Sequence, residues 1–230
     1  MQLVLSLLPG ADLFGKAFEE AGFCVVRGPD TLWGGDIHNF HVPQGKFDGI
    51  IGGPPCQVFS MANRTNKSAH LNLIPEFLRI VDEAKPKWAV MENVPAVLRY
   101  TQEPNWPYVE LVDYDCGGNT KRKRLFWFYN LIAPTPPNKR TGEAAYTVCA
   151  THYKNRVGTK RTGMHLHLTA EQAAELQGYP SLYTCIKAGQ PKDLSEASKE
   201  ILAVHMLGNG VPHAVGKYIA EHIRSCCRAE

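Results

Sequence analysis

Phe47-Asp48-Gly49-Ile50-Ile51-Gly52-Gly53-Pro54-Pro55-Cys56-Gln57-Val58-Phe59-Ser60 decides how this chain is read. The apolar run through Ile51 has the pattern of a buried strand, and the glycines and prolines after it end that strand. Cys56 therefore stands just past a strand's C-terminal end, the edge at which open α/β sheets bind ligands. Two prolines before it restrict the backbone and hold the sulfur in one place. Downstream, Trp88-Ala89-Val90-Met91-Glu92-Asn93-Val94 reads as a second buried strand, and this one ends on a carboxylate.

Outward from these two strands, the chain alternates. Leu3 to Leu8 is a continuous apolar run closed by Pro9-Gly10. Leu13, Phe14, Ala17, Phe18 and Ala21 recur at helical spacing, and Gly22 stops the helix. Cys24-Val25-Val26 is the next strand, with no room for a full helix before Gly35-Asp36-Ile37. Ile74 to Ala84 is an amphipathic helix ended before Lys85-Pro86. Val109 to Val112 and Leu125 to Tyr129 are later strands. Near the C-terminus, Leu168 to Gln177 is helical with Thr169 as its N-cap, and two further helices, Ala197 to Leu207 and Val211 to Ile223, flank Gly208-Asn209-Gly210. The alternation predicts an α/β fold with a doubly wound, mainly parallel sheet.

Composition narrows the class. With 230 residues, 44% of them hydrophobic, the chain can bury one good core. A net charge of +3 permits a polyanionic partner without demanding one. Seven cysteines at irregular spacing, with no Cys-x-x-Cys, read as reduced thiols in a cytosol. The adjacent pair Cys226-Cys227 reads as a frayed tail. His165-x-His167 has no second ligand pair near it, so no metal is expected. The N-terminus enters a strand directly, without a basic leader or long apolar stretch, so a cytoplasmic protein with no membrane role is expected.

A Pro-Cys-Gln loop followed by Glu-Asn-Val at the next strand end resembles the DNA cytosine-C5 methyltransferase family. Two later stretches, Leu176-Gln177-Gly178-Tyr179-Pro180 and Gly208-Asn209-Gly210-Val211-Pro212, resemble that family's later motifs in the same order. The resemblance runs from Ser6 to Ile223 and implies a sheet of the S-adenosylmethionine-dependent type. It makes Cys56 the nucleophile for C6 of cytosine and Glu92 the group that binds N3 and the exocyclic amine. Lys121-Arg122-Lys123-Arg124 resembles Gln-x-Arg-x-Arg, with Thr120 in the glutamine's place. If the two arginines share a strand face, Arg124 holds the base's O2 and Arg122 supports the carboxylate. Lys121 and Lys123 read better as a charged strand edge in water. Pro55, Gln57 and Asn93 would hold the loop.

For the methyl donor, S-adenosyl-L-methionine, the resemblance points to the turn Leu8-Pro9-Gly10-Ala11 and to Asp30, Asp36, Pro54, Asn209 and Val211. Leu8 replaces the family's phenylalanine and Asp12 its second glycine. Trp33 is either a stacking partner for adenine or a tryptophan packed on a helix. Ser60, Arg64 and Lys67 occupy the place of a mobile loop that closes over flipped DNA. The implied division is a catalytic and cofactor-binding domain over 1–131, a reduced target-recognition region over 132–167, and a C-terminal segment over 168–230 that packs back on the first.

The middle segment is rich in Lys154, Arg156, Lys160 and Arg161, which read either as ordinary basic surface or as DNA contacts; its place in the family order favours contacts. Its shortness implies a compact, phage- or prophage-type enzyme acting on double-stranded DNA, with a monomer favoured. Two alternatives stand beside this reading. One is the tRNA branch of the same family, and the other a non-catalytic DNA-binding protein on the same scaffold.

Overall fold

The computed structural model describes residues 1–55, 72–99, 104–150, 168–190 and 192–228. Six strands form one sheet: β1 (Leu3–Leu7), β2 (Cys24–Arg27), β3 (Gly49–Gly52), β4 (Trp88–Asn93), β5 (Tyr108–Val112) and β6 (Lys123–Tyr129). Their order is β2-β1-β3-β4-β6-β5. The first four are mutually parallel, and β6 pairs antiparallel with both β4 and β5. This is the mixed, mainly parallel α/β sheet expected from the alternation of elements.

Helices cover both faces, so the strands are apolar on both sides. Alternate residues point opposite ways. Val4, Ile51, Val90, Phe126 and Phe128 face a core completed by α1 (Leu13–Glu20) and α6 (His213–Cys226), through Phe14, Phe18, Val215, Ile219 and Ile223. Leu5, Ile50, Ala89, Met91 and Trp127 face α2 (Ile74–Ala84), through Ile74, Phe77, Ile80, Val81 and Ala84. Phe77 is wholly buried there, and truncating it to alanine should cost about 3–5 kcal/mol. The bounds of α2 follow from local chemistry. Pro75 fits the first turn, where its missing N–H costs nothing, and Lys85 takes a left-handed φ of 46° ahead of Pro86.

Between β2 and β3 no helix forms. Two short 3-10 turns, Thr31–Trp33 and Ile37–Asn39, take its place. Ile37 and Val42 are buried beneath α2, and Arg79 on that helix donates to the carbonyls of Ile37 at 2.8 Å and Phe40 at 3.1 Å. A crossover too short for a helix is thereby fastened to the sheet's covering layer.

The C-terminal residues form α3 (Ala170–Leu176), α4 (Leu182–Ala188) and α5 (Glu196–Asn209) before α6. A capping box of Thr169 and Gln172 starts α3, and Ser195 caps α5. These three helices enclose a further core with Ala11, Leu13 and Val148. Two expectations change here. Gly208 and Asn209 complete α5 instead of forming a turn, because the break comes only at Gly210. Cys226 closes α6 and Cys227 packs on the first core, so neither belongs to a frayed tail. The helix α4 was not expected; among its described residues Leu182 and Ile186 are buried.

Candidate active site

Strand register sets the site. Leu7 lies opposite Gly52, and Gly52 opposite Met91, so the residues that follow these strand positions reach the same edge of the sheet side by side. Those residues are Leu8, Gly53 and Glu92. Since β6 runs antiparallel and pairs Leu125 with Asn93, its first residues begin at that same edge and bring Arg124 to Glu92. The Arg124 Nε lies 2.8 Å from Glu92 Oε1.

Glu92 is buried, and burial pushes its carboxyl above the ordinary range; the charges of Arg124 and Arg122 and the bond from Arg124 oppose that shift without reversing it. Its second oxygen lies over Gly53. A Cβ at position 53 would stand 2.7 Å from Glu92 Oε2, so any side chain there would push that oxygen aside. The neighbouring Asn93 is fully buried, and its Nδ2 donates to the carbonyl of Pro54 at 3.2 Å. That bond pins the Pro54-Pro55 turn to the end of β4. Cys56 is the next residue after Pro55. It lies outside the described residues, as do Gln57, Ser60, Arg64, Lys67, Lys154, Arg156, Lys160 and Arg161.

The two arginines are not equivalent. Arg122 stands just before β6, and its carbonyl accepts from the amide of Asp113 at 2.9 Å. It is 1% exposed, and it donates from Nη1 to the carbonyl of Val148 at 2.7 Å and from Nη2 to that of Gly208 at 2.9 Å. Its guanidinium thus ties the start of β6 to α5, and it reaches Glu92 by charge. Only Arg124 lines the cleft. Thr120, in the position read as a replaced glutamine, builds the preceding turn by donating N and Oγ1 to Asp113 Oδ2 at 2.9 and 2.6 Å.

From Glu92 and Arg124 a single cavity of about 430 Å³ extends along the sheet edge to the turn after β1. Leu8, Pro9, Gly10 and Ala11 line it from that turn, Pro54 and Pro55 from the loop after β3, and Asn209 and Val211 from the end of α5. Asp30 and Asp36 border the far end. Asp30 is 8% exposed and accepts from the amides of Gly10 and Leu32, each at 2.9 Å. Asp36 is exposed and caps the second 3-10 turn through the amide of His38, which holds its carboxyl below the usual range. The backbone of Trp33 closes the first 3-10 turn.

Sequence reasoning missed several lining residues. His205 and Met206 sit one turn before Asn209 on α5, a spacing of three to four that would have placed them on one helix face. His38, whose Nδ1 lies 2.8 Å from Asp36 Oδ1, carried no comparable signal. Among the described residues, no cluster of three or more His, Cys, Asp or Glu could hold a metal, and no helix is long and apolar enough to cross a membrane.

Residues 32–109 match the family model of the C-5 cytosine-specific DNA methylases. The Type II methyltransferase M.DdeI of Desulfomicrobium norvegicum is 32% identical over 117 residues, covering 41% of this chain and 28% of that protein. M.FnuDI of Fusobacterium nucleatum is 33% identical over 115 residues, covering 41% of this chain and 33% of that one. The chain thus spans well under two thirds of the length of these relatives. Similarity of fold extends further. A protein described as a prophage-encoded DNA modification methyltransferase of E. coli superimposes with a TM-score of 0.64 at 15% identity, over 99% of this chain and 100% of that one. The Entamoeba histolytica methyltransferase EhMeth superimposes with a TM-score of 0.66 at 11% identity, over 99% of each chain. The sequence match to that family model thus runs from the first 3-10 turn through the Pro54-Pro55 loop and Glu92, and the fold of these methyltransferases is shared along nearly the whole length of the chain.

Proposed function

We propose that this chain transfers a methyl group from S-adenosyl-L-methionine to C5 of a cytosine flipped out of double-stranded DNA. The observation that carries the reading is one continuous cavity, with the Glu92–Arg124 pair beside the Pro54-Pro55 loop at one end and the acid-bordered turn at the other.

The residues present fit the donor. Apolar walls from Leu8, Leu32, Ile37 and Val211 suit a purine, and the oxygens of Asp30 and Asp36 suit hydroxyls. When bound, S-adenosyl-L-methionine supplies an electrophilic methyl group on a sulfonium. Everything else falls to this chain. C5 of cytosine is a poor nucleophile, and addition of the Cys56 thiolate to C6 makes it enamine-like. Glu92, with its raised carboxyl, is suited to share a proton with N3 as electron density moves onto the ring. Arg124 keeps Glu92 oriented and offers donors to O2. Once C5 has gained the methyl group, its proton leaves to a base and the C6–S bond breaks, returning the thiol.

A ring atom inside a duplex is out of reach, so the base must leave the stack. Residues 132–167, with Lys154, Arg156, Lys160 and Arg161, are the proposed target-recognition region. A modification activity of the restriction–modification kind fits relatives named as Type II methyltransferases.

The test is expression in a methylation-free bacterial host beside Cys56→Ala, with 5-methylcytosine mapped across the genome. Methylation at a defined site that disappears in Cys56→Ala is expected. Retained methylation in that variant would overturn the nucleophile assignment. Unmethylated DNA with methylated RNA would move the substrate to the tRNA branch.

A further inference from the structure

The turn after β1 carries an acid where its backbone favours glycine. Asp12 stands at the N-cap of α1 with a φ of 57°, a left-handed conformation that costs a residue with a Cβ about 1–2 kcal/mol. Its side chain makes no capping bond to the helix. Instead Oδ2 accepts from Arg27 Nε at 2.6 Å, and Oδ1 lies 3.5 Å from Ser6 Oγ. The same guanidinium continues to Glu19, with Nη2 2.7 Å from Oε1. One cation at the end of β2 thus fastens the turn to the body of α1.

The arrangement is tightly packed. A Cβ at position 15 would fall 2.2 Å from Asp12 Oδ1, so Gly15 makes the room that the carboxylate occupies. Burial works against the ionised form of Asp12, and Arg27 is the main group favouring it.

What matters is where this charge does not go. Ser6, Gly10, Ala11 and Leu13 all line the cavity, and Asp12 does not. The amides of Leu8, Gly10 and Asp12 in this turn already donate within the chain, to Pro29, Asp30 and Pro9, so a further negative charge at this end of the cavity meets little to offset it. A carboxylate of the chain's own, released at that place, would compete with an anionic ligand group. We propose that Arg27 is a positioning residue for the methyl donor: by holding the Asp12 carboxylate against Ser6 and the first turn of α1, it keeps that negative charge from the end of the cavity where the donor's amino-acid carboxylate would lie. The inference rests on the proposed use of S-adenosyl-L-methionine.

The experiment is calorimetric titration of the whole protein with two ligands. S-adenosylhomocysteine carries the amino-acid carboxylate, and 5′-methylthioadenosine lacks it. Arg27→Ala should weaken the first roughly tenfold and leave the second nearly unchanged. Adding Asp12→Asn to Arg27→Ala should restore the affinity, because asparagine tolerates the left-handed backbone and carries no charge. Equal losses for both ligands, no loss at all, or no rescue would each overturn the proposal. No rescue would mean that Arg27 itself attracts the ligand. Should Arg27→Ala fail to fold, Asp12→Asn alone decides: unchanged or tighter S-adenosylhomocysteine binding is expected, and a tenfold loss would sink the idea. A wild-type protein that binds neither ligand would remove the donor reading, and this inference with it. Normal wild-type binding with an unaffected Arg27→Ala removes the inference alone.

Discussion

Glu92 and Asp30 are both buried carboxylates on one cavity, yet they are held in opposite ways. Asp30 spends its two oxygens on backbone amides, those of Gly10 and Leu32, and so splices the turn after β1 to the first 3-10 turn. Glu92 takes no such pair. One oxygen meets the Arg124 side chain and the other lies over Gly53. A carboxylate bonded to two fixed amides is held in one place and acts as structure. One that is desolvated beside a side-chain partner has its proton affinity raised, and can take part in proton chemistry. On the proposed function the same cavity has a shaped end and a reactive end, and substitutions should separate them.

The largest effect is expected from Glu92→Gln, which keeps the shape and removes the titrating group. It should lower the single-turnover rate by about 10²–10⁴ with donor affinity preserved. Near-normal turnover would erase the distinction between the two acids. The variant also tests the raised carboxyl. A folded-state value above the unfolded one stabilises the fold in acid, and that contribution is lost as pH rises through the folded value. The melting temperature of Glu92→Gln relative to wild type should accordingly improve as pH is raised above 4.5, the unperturbed carboxyl value. Parallel melting curves across that range would contradict the burial argument.

Gly53→Ala sharpens the comparison from the backbone side. Its Cβ would stand 2.7 Å from Glu92 Oε2 and displace the carboxylate. A misplacement of that kind should reduce kcat by roughly 100-fold with little change in donor KM. A rise in donor KM instead would mean that the two ends are coupled through the Pro54 loop.

Asp30→Asn should show the mirror image and the smallest change in turnover. An amide nitrogen would face one of the two backbone N–H groups, and leaving that group unsatisfied costs about 1–3 kcal/mol. Donor KM should rise about tenfold while kcat stays within a factor of two or so. A collapse of kcat with normal donor binding would place Asp30 at the reactive end.

Much of the scaffold is legible in the sequence. The helix expected from Ile74 to Ala84 ends where it does because Pro75 and Lys85-Pro86 are local signals that need no partner. Glu92, Arg124 and the residues of the turn after β1 were named from the order of motifs, and one cavity brings them together. Arg122 shows where local reasoning stops. Alternation places it beside Arg124, but its guanidinium turns to the carbonyls of Val148 and Gly208 instead. Asp30 and Asp36 were read as ligand contacts, and their second task, capping the two 3-10 turns, was not seen.

Periodicity and punctuation, written in neighbouring side chains, determine which segments are strands and which are helices. The amino-acid order alone also carries the pairing of a Pro-Cys loop with Glu-Asn-Val. Tertiary structure alone decided which carbonyls Arg122 reaches, that Asn93 ties the Pro54 loop to β4 across 39 residues, and that Arg27 pairs with Asp12. The physical reason is that backbone carbonyls and amides are the same at almost every residue. No sequence marks which of them a buried side chain will meet; only the packed sheet and its register select the partner.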